Sequence, residues 1–417
     1  MFENLKQLFT TTEESDYAIV LDVGTEFVKS LIFKVIEENG TKKGIVVGVG
    51  KQRQRVSDMY GGAVSNISGV IENCRAALAR ALEMADVHAD QVIIGIAGEL
   101  VKGMTSVFSY TRTNSKNPIN HRELSHIIEQ AQKTVFEQTK KTISAETGHD
   151  ELAIRLVNAV VIKIEIDGYI VTNPIGFTGR NLIIHLYNSF APSVHLRSLE
   201  TIASELNLEL LTLTAEPYAV AKAVGEDESN EFSAVIIDIG GGTTDIAVVI
   251  DGGLLGTKMF SFGGRAFTKH LAAAQGISFL KAEDLKIAYA KNNLPKKQHH
   301  LVSDTLYRDT LVWKSGVELL LSDFEGIEKF PQRILLCGGG SLLPEIFKAL
   351  NEIEIISSPT VSYMYPKDVK NIIDETGLLD DPSDVTPLSL AHVGLDYAGQ
   401  ESVVSDMLKK VTNIIRS

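Results

Sequence analysis

The chain has 417 residues, enough for two to four domains or subdomains, and 44% hydrophobic residues against 22% charged ones allow a substantial core. Its 40 Lys+Arg stand against 53 Asp+Glu, a net charge of −13, which argues against the basic footprint of a general nucleic-acid binder. Two cysteines, Cys74 and Cys337, both in apolar surroundings, offer neither a disulfide framework nor metal-ligand spacing, so a reducing cytosol is expected; the sequence shows no signal peptide and no apolar run of transmembrane length.

In chain order, Met1–Phe9 places Phe2, Leu5, Leu8 and Phe9 on one helical face that could dip into a membrane surface, although nine residues favour packing on the body or fraying. Tyr17–Ser30 (YAIVLDVGTEFVKS) is an apolar strand ending at Asp22, then Gly24 and Thr25, then an alternating strand with Lys29. Lys43–Gly50 supplies a third strand. Gly61 and Gly62 open a loop, and Ser68–Ala85 is an alanine-rich helix. Gln91–Gly98 and Val101–Tyr110 read as strands. Asn120–Lys141 reads as a helix with Ile127, Ile128, Ala131 and Val135 at helical spacing, and Leu152–Ile166 as strand again. Residues 89–182 therefore form a strand–helix–strand insertion that exits through Asn173–Gly179, and Leu182–Leu186 returns to the main sheet. Val194–Leu206 and Thr214–Val224 are helices, with Pro217 near the start of the second, and Glu226–Glu231 is a polar link.

Ala234–Ile250 (AVIIDIGGGTTDIAVVI) repeats the first pattern more strongly: an apolar strand ending at Asp238, a turn of Gly240, Gly241 and Gly242, then Thr243, Thr244, Asp245 and a second apolar strand. Successive N–H groups of such a turn can converge on an anion, because glycine accepts the dihedrals and leaves the approach clear. An aspartate repels phosphate, but it can hold a hydrated Mg²⁺ in an outer shell. Phe262–Gly264 caps a helix over Arg265–Ala274, and Ser278–Ala290 is another. Asn292–His300 is basic and loop-like, with His299 and His300 lacking metal spacing. Thr305–Phe324 is helical, with Trp313 as a packing residue. Arg333–Leu350 gives a third glycine turn, at Gly338, Gly339, Gly340 and Ser341, leading from a strand into a helix. Pro359–Pro387 reads as a long irregular loop or lid, and Pro387–Ala398 begins a helix. Neither a GxxxxGK[ST] loop nor a GxGxxG after a strand is present, so a bound nucleotide would need a third kind of site. Three such turns suggest two related halves around one nucleotide.

The set resembles the actin and heat-shock-chaperone ATPase superfamily: DxGT at Asp22–Thr25 with Lys29, DIGGGTTD at Asp238–Asp245, and GGGS at Gly338–Ser341. AEPYAVA at Ala215–Ala221 resembles its first connecting helix, and Ala282–Lys286 the helix beside ribose and adenine. Within it, residues 61–182 are similar to the FtsA family of bacterial cell division, notably GGAVSNISGVIENCRAALARALEMA, VIIGIAG and NPIGFTG. The resemblance implies an α/β, actin-like (ribonuclease-H-like) duplicated ATPase fold, two lobes around a nucleotide cleft with a 1C-type insertion. Residues 1–88, 183–228 and 385–417 would form the first lobe, 89–182 the insertion, and 229–384 the second lobe with a reduced outer subdomain at about 265–330.

It also implies ATP and Mg²⁺ as ligands and a weak ATPase activity. Asp22 and Asp238 would position Mg²⁺ through water. Gly24, Thr25, Gly240, Gly241, Gly242, Thr243 and Thr244 would wrap the phosphates, and Lys29 would neutralise charge. Glu283 and Lys286 would meet ribose and base, with Gly338, Gly339, Gly340 and Ser341 near the adenine. Glu216 would orient or deprotonate the attacking water. Asp245 would brace the hairpin. Plainer readings exist: a strand-end lysine for Lys29, an ordinary helix pair for Glu283–Lys286, and a helix-start acid for Glu216. Loss of the γ-phosphate would loosen the lobes and change self-assembly. Implied partners are an FtsZ-like tubulin homologue, further copies of the chain, and the inner face of the cytoplasmic membrane, with no nucleic acid. The membrane contact falls on residues 403–416, where Val404, Met407, Leu408, Val411, Ile414 and Ile415 share one helical face beside Lys409, Lys410 and Arg416. That helix could instead dock on the protein body. The alternative function is a PilM-like actin-fold adaptor of a pilus or secretion machine.

Overall fold

The structure is a computed structural model that describes residues 17–98, 101–147, 153–225 and 231–397. The expected N-terminal helix and the tail helix at 403–416 lie outside the described residues.

The first half opens with three strands, β1 (Tyr17–Val23), β2 (Phe27–Glu38) and β3 (Thr41–Arg53), paired antiparallel in sequence order. After the short pair β4 (Met59–Tyr60) and β5 (Ala63–Val64) comes α1 (Ile67–Ala85), capped by Asn66, whose side chain accepts from the Gly69 N–H. Strand β6 (Gln91–Ile96) then pairs parallel with β1. The insertion follows: β7 (Lys102–Thr111), α2 (His121–Thr147), β8 (Ile154–Ile166), β9 (Tyr169–Val171) and β10 (Asn181–Pro192). The Asn120 side chain accepts from the Glu123 N–H at 3.0 Å and so starts α2. Ile127, Ile128, Ala131 and Val135 are buried as the spacing requires. The first half closes with α3 (Ser193–Glu205), β11 (Glu209–Ala215), parallel to β6, and α4 (Glu216–Gly225).

The second half repeats that plan. Strands β12 (Ala234–Ile239), β13 (Thr244–Ile250) and β14 (Gly253–Phe260) form an antiparallel meander. Helices α5 (Gly264–Gln275), α6 (Phe279–Ala290) and α7 (Lys296–Ser322) intervene before β15 (Arg333–Cys337), parallel to β12. Then α8 (Pro344–Asn351) leads to β16 (Thr360–Tyr363), parallel to β15. A return crossing gives β17 (Ile372–Asp374) and α9 (Val385–Gly394). The strand order β11-β6-β1-β2-β3 in one sheet matches β16-β15-β12-β13-β14 in the other, with the same parallel and antiparallel relations. This is the duplicated, actin-like α/β arrangement. One apolar core, around Ile19, Leu31 and Ile93, also takes in Ala234, Ile236 and Ala247 from the second sheet; the other, around Ile237, Phe267 and Trp313, lies in the second half.

Pairing corrects several expectations. Strand β6, within the range assigned to the insertion, is a core strand of the first sheet. Leu182–Leu186 does not return to that sheet, because β10 lies between β7 and β8, and β7 pairs with β14 of the second half. The loop expected over Pro359–Pro387 is an ordered strap: β16 stays in the second sheet, while β17 crosses to pair with β3 of the first. The strap satisfies its amides on two sheets, which the polar, proline-rich sequence there does not reveal. Asn292–His300 is not all loop, since α7 begins at Lys296 and His299 packs against the Tyr289 ring. Thr214 and Ala215 end β11, and the helix starts at Glu216. No helix among the described residues is long and apolar enough to cross a membrane.

Candidate functional site

The two equivalent hairpins meet at their turns. On β1, Asp22 stands opposite Lys29 of β2 and is buried, as are Thr25 and Lys29. On β12, Asp238 stands opposite Asp245 of β13, and both are buried. A Cβ on Gly241 would fall 2.8 Å from the Glu26 Cβ, and one on Gly242 2.5 Å from the Thr25 Oγ1. The glycines thus let the second turn lie directly on the first. Within the second turn, the Gly240 N–H donates to the Thr243 carbonyl at 2.9 Å. The start of α5 donates to the turn: the Gly264 N–H to the Gly240 carbonyl at 2.9 Å and the Arg265 N–H to the Gly241 carbonyl at 2.8 Å. A helix N-terminus has free amides to give, and here they hold the turn's carbonyls on the α5 side.

The strap residues Asp381–Thr386 tie the pieces together; the sequence marked them only as part of a long loop or lid, with no residue singled out. The Lys29 ammonium donates to the Ser383 carbonyl and lies 3.5 Å from the Asp384 carboxylate. The Gly338 N–H donates to the Pro382 carbonyl at 3.0 Å. The Thr386 hydroxyl donates to Asp238 Oδ2 at 2.5 Å. Gly338 has φ of +79°, and a Cβ there would sit 2.1 Å from Asp238 Oδ1, so the position is closed to any other residue. Beside Lys29 a cavity of about 240 Å³ is lined by Lys51, Asp380, Asp381 and Asp384 among others; no residue of the two hairpin turns lines it.

Electrostatically the centre holds more negative charge than it can balance. Burial pushes the Asp22 carboxyl up to about 6; Lys29 opposes that shift and the Asp238 charge adds to it. Burial raises Asp238 as well, against the Thr386 hydrogen bond and Lys29. Burial and then Asp238 hold Asp245 well above its ordinary range, against the hydrogen bond from Thr243, and its Oδ1 is buried without a partner. Partly buried Glu216 is raised well above the usual value by burial, then by Asp22, Asp245 and Asp238. These carboxyls titrate against one another across the two halves, so Asp22, Asp238, Asp245 and Glu216 form one cluster, with Lys29 the cation that lowers all but Asp245. Such a cluster fits a divalent cation, which would favour the charged forms. Among the described residues no three His, Cys, Asp or Glu side chains gather closely enough to hold a metal directly.

Other expected residues are placed differently. The Thr244 hydroxyl donates to the Phe262 carbonyl at 2.6 Å and accepts from the Trp313 indole at 2.8 Å, fully buried. Its side chain belongs to the second core. The Ser341 hydroxyl is spent on the Gly338 carbonyl at 2.7 Å. Lys286 donates to the Gly264 carbonyl, the Thr268 hydroxyl and Glu283 Oε2 at 2.9, 2.8 and 2.9 Å, which uses its three protons. Gly264, at the start of α5, is hydrogen-bonded to the turn on which the hairpins meet, so the Glu283–Lys286 pair is anchored beside it. Gly339 and Gly340 begin the turn that leads toward α8.

The model of the family "Cell division protein FtsA" matches residues 235–386, which span the second hairpin, the third glycine turn and the strap. The likeness is to FtsA. The FtsA of Neisseria meningitidis is 28% identical over 278 residues, covering 66% of this chain and 62% of that protein. The FtsA of Escherichia coli is 25% identical over 275 residues, covering 64% of this chain and 59% of its own length. The match thus spans about three fifths of these FtsA relatives. Among solved structures, one titled "PilM-PilN type IV pilus biogenesis complex" superposes with a TM-score of 0.63 at 13% identity, covering 91% of this chain and 98% of that one, which shows the shared fold.

Proposed function

We propose that this chain is an actin-like cell-division protein that binds ATP with Mg²⁺ between its two halves, assembles with itself at the inner membrane face, and tethers FtsZ-type filaments. The observation that carries the nucleotide reading is the acidic cluster of Asp22, Asp238, Asp245 and Glu216, gathered where two equivalent hairpins meet at their turns. Mg²⁺ would supply positive charge to bridge carboxylates and phosphate oxygens. Asp22 and Asp238 would hold it through water, Lys29 would neutralise phosphate charge, and the amides of Gly24, Thr25 and Gly241–Thr243 would face the phosphates. Glu216 favours its proton-carrying form in this environment, so it would act as a base only after the surrounding negative charge is compensated. The similarity to FtsA supports the division role, and the apolar face over residues 403–416 supports a membrane contact.

Vesicle co-pelleting tests the reading. Full-length chain, and chain truncated after Gly399, are spun with anionic vesicles, with and without ATP·Mg²⁺ and FtsZ. Pelleting that depends on the tail and shifts with ATP is expected, with FtsZ carried down. Equal pelleting of both forms removes the anchor. Failure to carry FtsZ, together with capture of a short peptide by the insertion, would favour an adaptor role instead.

A further inference from the structure

One residue holds both turns at once. The Arg265 backbone N–H donates to the Gly241 carbonyl at 2.8 Å, on the second-half turn. Its guanidinium reaches the first-half turn, with Nε donating to Glu26 Oε2 at 2.8 Å. Nη1 donates to the Val56 carbonyl, in the loop after β3, and to the Met59 carbonyl at the start of β4, each at 3.1 Å. The other Glu26 oxygen accepts from Arg53 Nε at 2.7 Å, so the carboxylate is fixed from both sides. Arg265 is 7% exposed, and its Nη2 is buried without a partner. The contact is close: Gly241 lies against Glu26 and Gly242 against Thr25, with space for no side chain between them.

We infer that Arg265 is a positioning residue that sets the spacing of the two turns, and that Glu26 is the acceptor through which it does so. The inference rests on the nucleotide reading above for its consequence, because ligand phosphates would lie against both turns. A buried, forked guanidinium holds distance and angle together, which a lysine would not. A terminal phosphate gripped from both turns feels their spacing most. Losing the clasp should therefore cost ATP more than ADP.

The test compares wild type, Arg265→Met and Glu26→Gln in full-length protein. ATP and ADP dissociation constants are measured with Mg²⁺, along with Tm and hydrogen exchange of the amides at 24–27 and 240–243 without nucleotide. Each variant is expected to lower the ATP-over-ADP preference by about tenfold and to deprotect both turns together, and the double variant should do little more than either alone. If Arg265→Met does not fold, the near-isosteric Glu26→Gln carries the same expectation. A lowered Tm with an unchanged ATP/ADP ratio would overturn the proposal and leave Arg265 a packing residue. If the wild type binds neither nucleotide, the functional reading fails by itself. Exchange then decides the clasp: joint deprotection of the turns upholds it, and unchanged protection overturns it.

Discussion

The two halves share a five-strand unit, yet their outer third strands meet different neighbours. On the first sheet β3 is extended by the three-residue β17, from the returning strap. On the second, β14 is extended by the insertion strands in the order β7-β10-β8-β9. Both additions sit at the same place in the repeat, and both bind chain from the other half. The duplicated centre presents its turns alike, while the edges couple the halves in two ways: three residues of strap pair with β3, and two residues of β7 pair with β14, beyond which the insertion strands continue the second sheet. The insertion is therefore attached to the second half by backbone pairing, although it leaves the chain within the first.

The comparison can be sharpened by mutation. The largest effect is expected at the buried pair of the second half. Lys286→Met leaves Glu283 buried with only the Thr268 hydroxyl, and should cost about 3–5 kcal/mol in urea unfolding. In the first half, Lys29→Met should act chiefly on ligand, lowering ATP affinity by about tenfold or more, because its charge faces the acids rather than a single partner.

Next comes pH. The folded Asp22 carboxyl titrates near 6 and the unfolded one near 3.8. A raised acid binds more protons folded than unfolded between those values, so it costs nothing below about 3.8, and stability falls as pH rises through about 6. The loss is on the order of 3 kcal/mol for the ligand-free protein. Asp22→Asn should flatten that slope in denaturant titrations from pH 4 to 7. ATP with Mg²⁺ should raise Tm more at pH 7.5 than at pH 5.5, and a ligand effect independent of pH would break the cluster argument.

The two edges give the third test. A Cβ at Gly103 on β7 would fall 2.1 Å from the Tyr187 hydroxyl and 2.2 Å from the Thr257 hydroxyl, at the seam with β14. Gly103→Ala should cost about 1–3 kcal/mol by overpacking. At Gly44, on the β3–β17 seam, the nearest contact is the movable Ile372 Cδ1 at 2.7 Å, so Gly44→Ala should cost less in the same assay. Equal costs would mean that the edges do not differ in rigidity. The smallest effect is at Thr244. Thr244→Val strands the Trp313 indole and the Phe262 carbonyl, at about 1–2 kcal/mol of stability, and should leave nucleotide affinity unchanged.

Much of the site was legible because it is local. A strand that ends in aspartate and turns on glycine identifies itself, and it did so twice, at Asp22 and at Asp238. The residues that join the halves gave no such signal. Glu26 sits in the first turn like any polar turn residue, Arg265 opens a helix like any basic residue, and Thr386 lies 148 residues beyond the aspartate it serves. Thr243 and Thr244 are adjacent and alike in type. One faces Asp245 and the other the Trp313 indole, and only the pleat of β13 and the path of α7 separate them.

The sequence by itself therefore determined the hairpins, their turns, most helices and the pairing of acids to strand ends, since these depend on side-chain pattern and backbone conformation within a few residues. Tertiary structure alone decided that the insertion joins the second sheet, that the strap crosses back to the first, and that Arg265 clasps both turns. Strand edges are joined through backbone N–H and C=O groups that every residue carries, so their choice of neighbour is written in the packing of the whole chain and not in any one stretch of it.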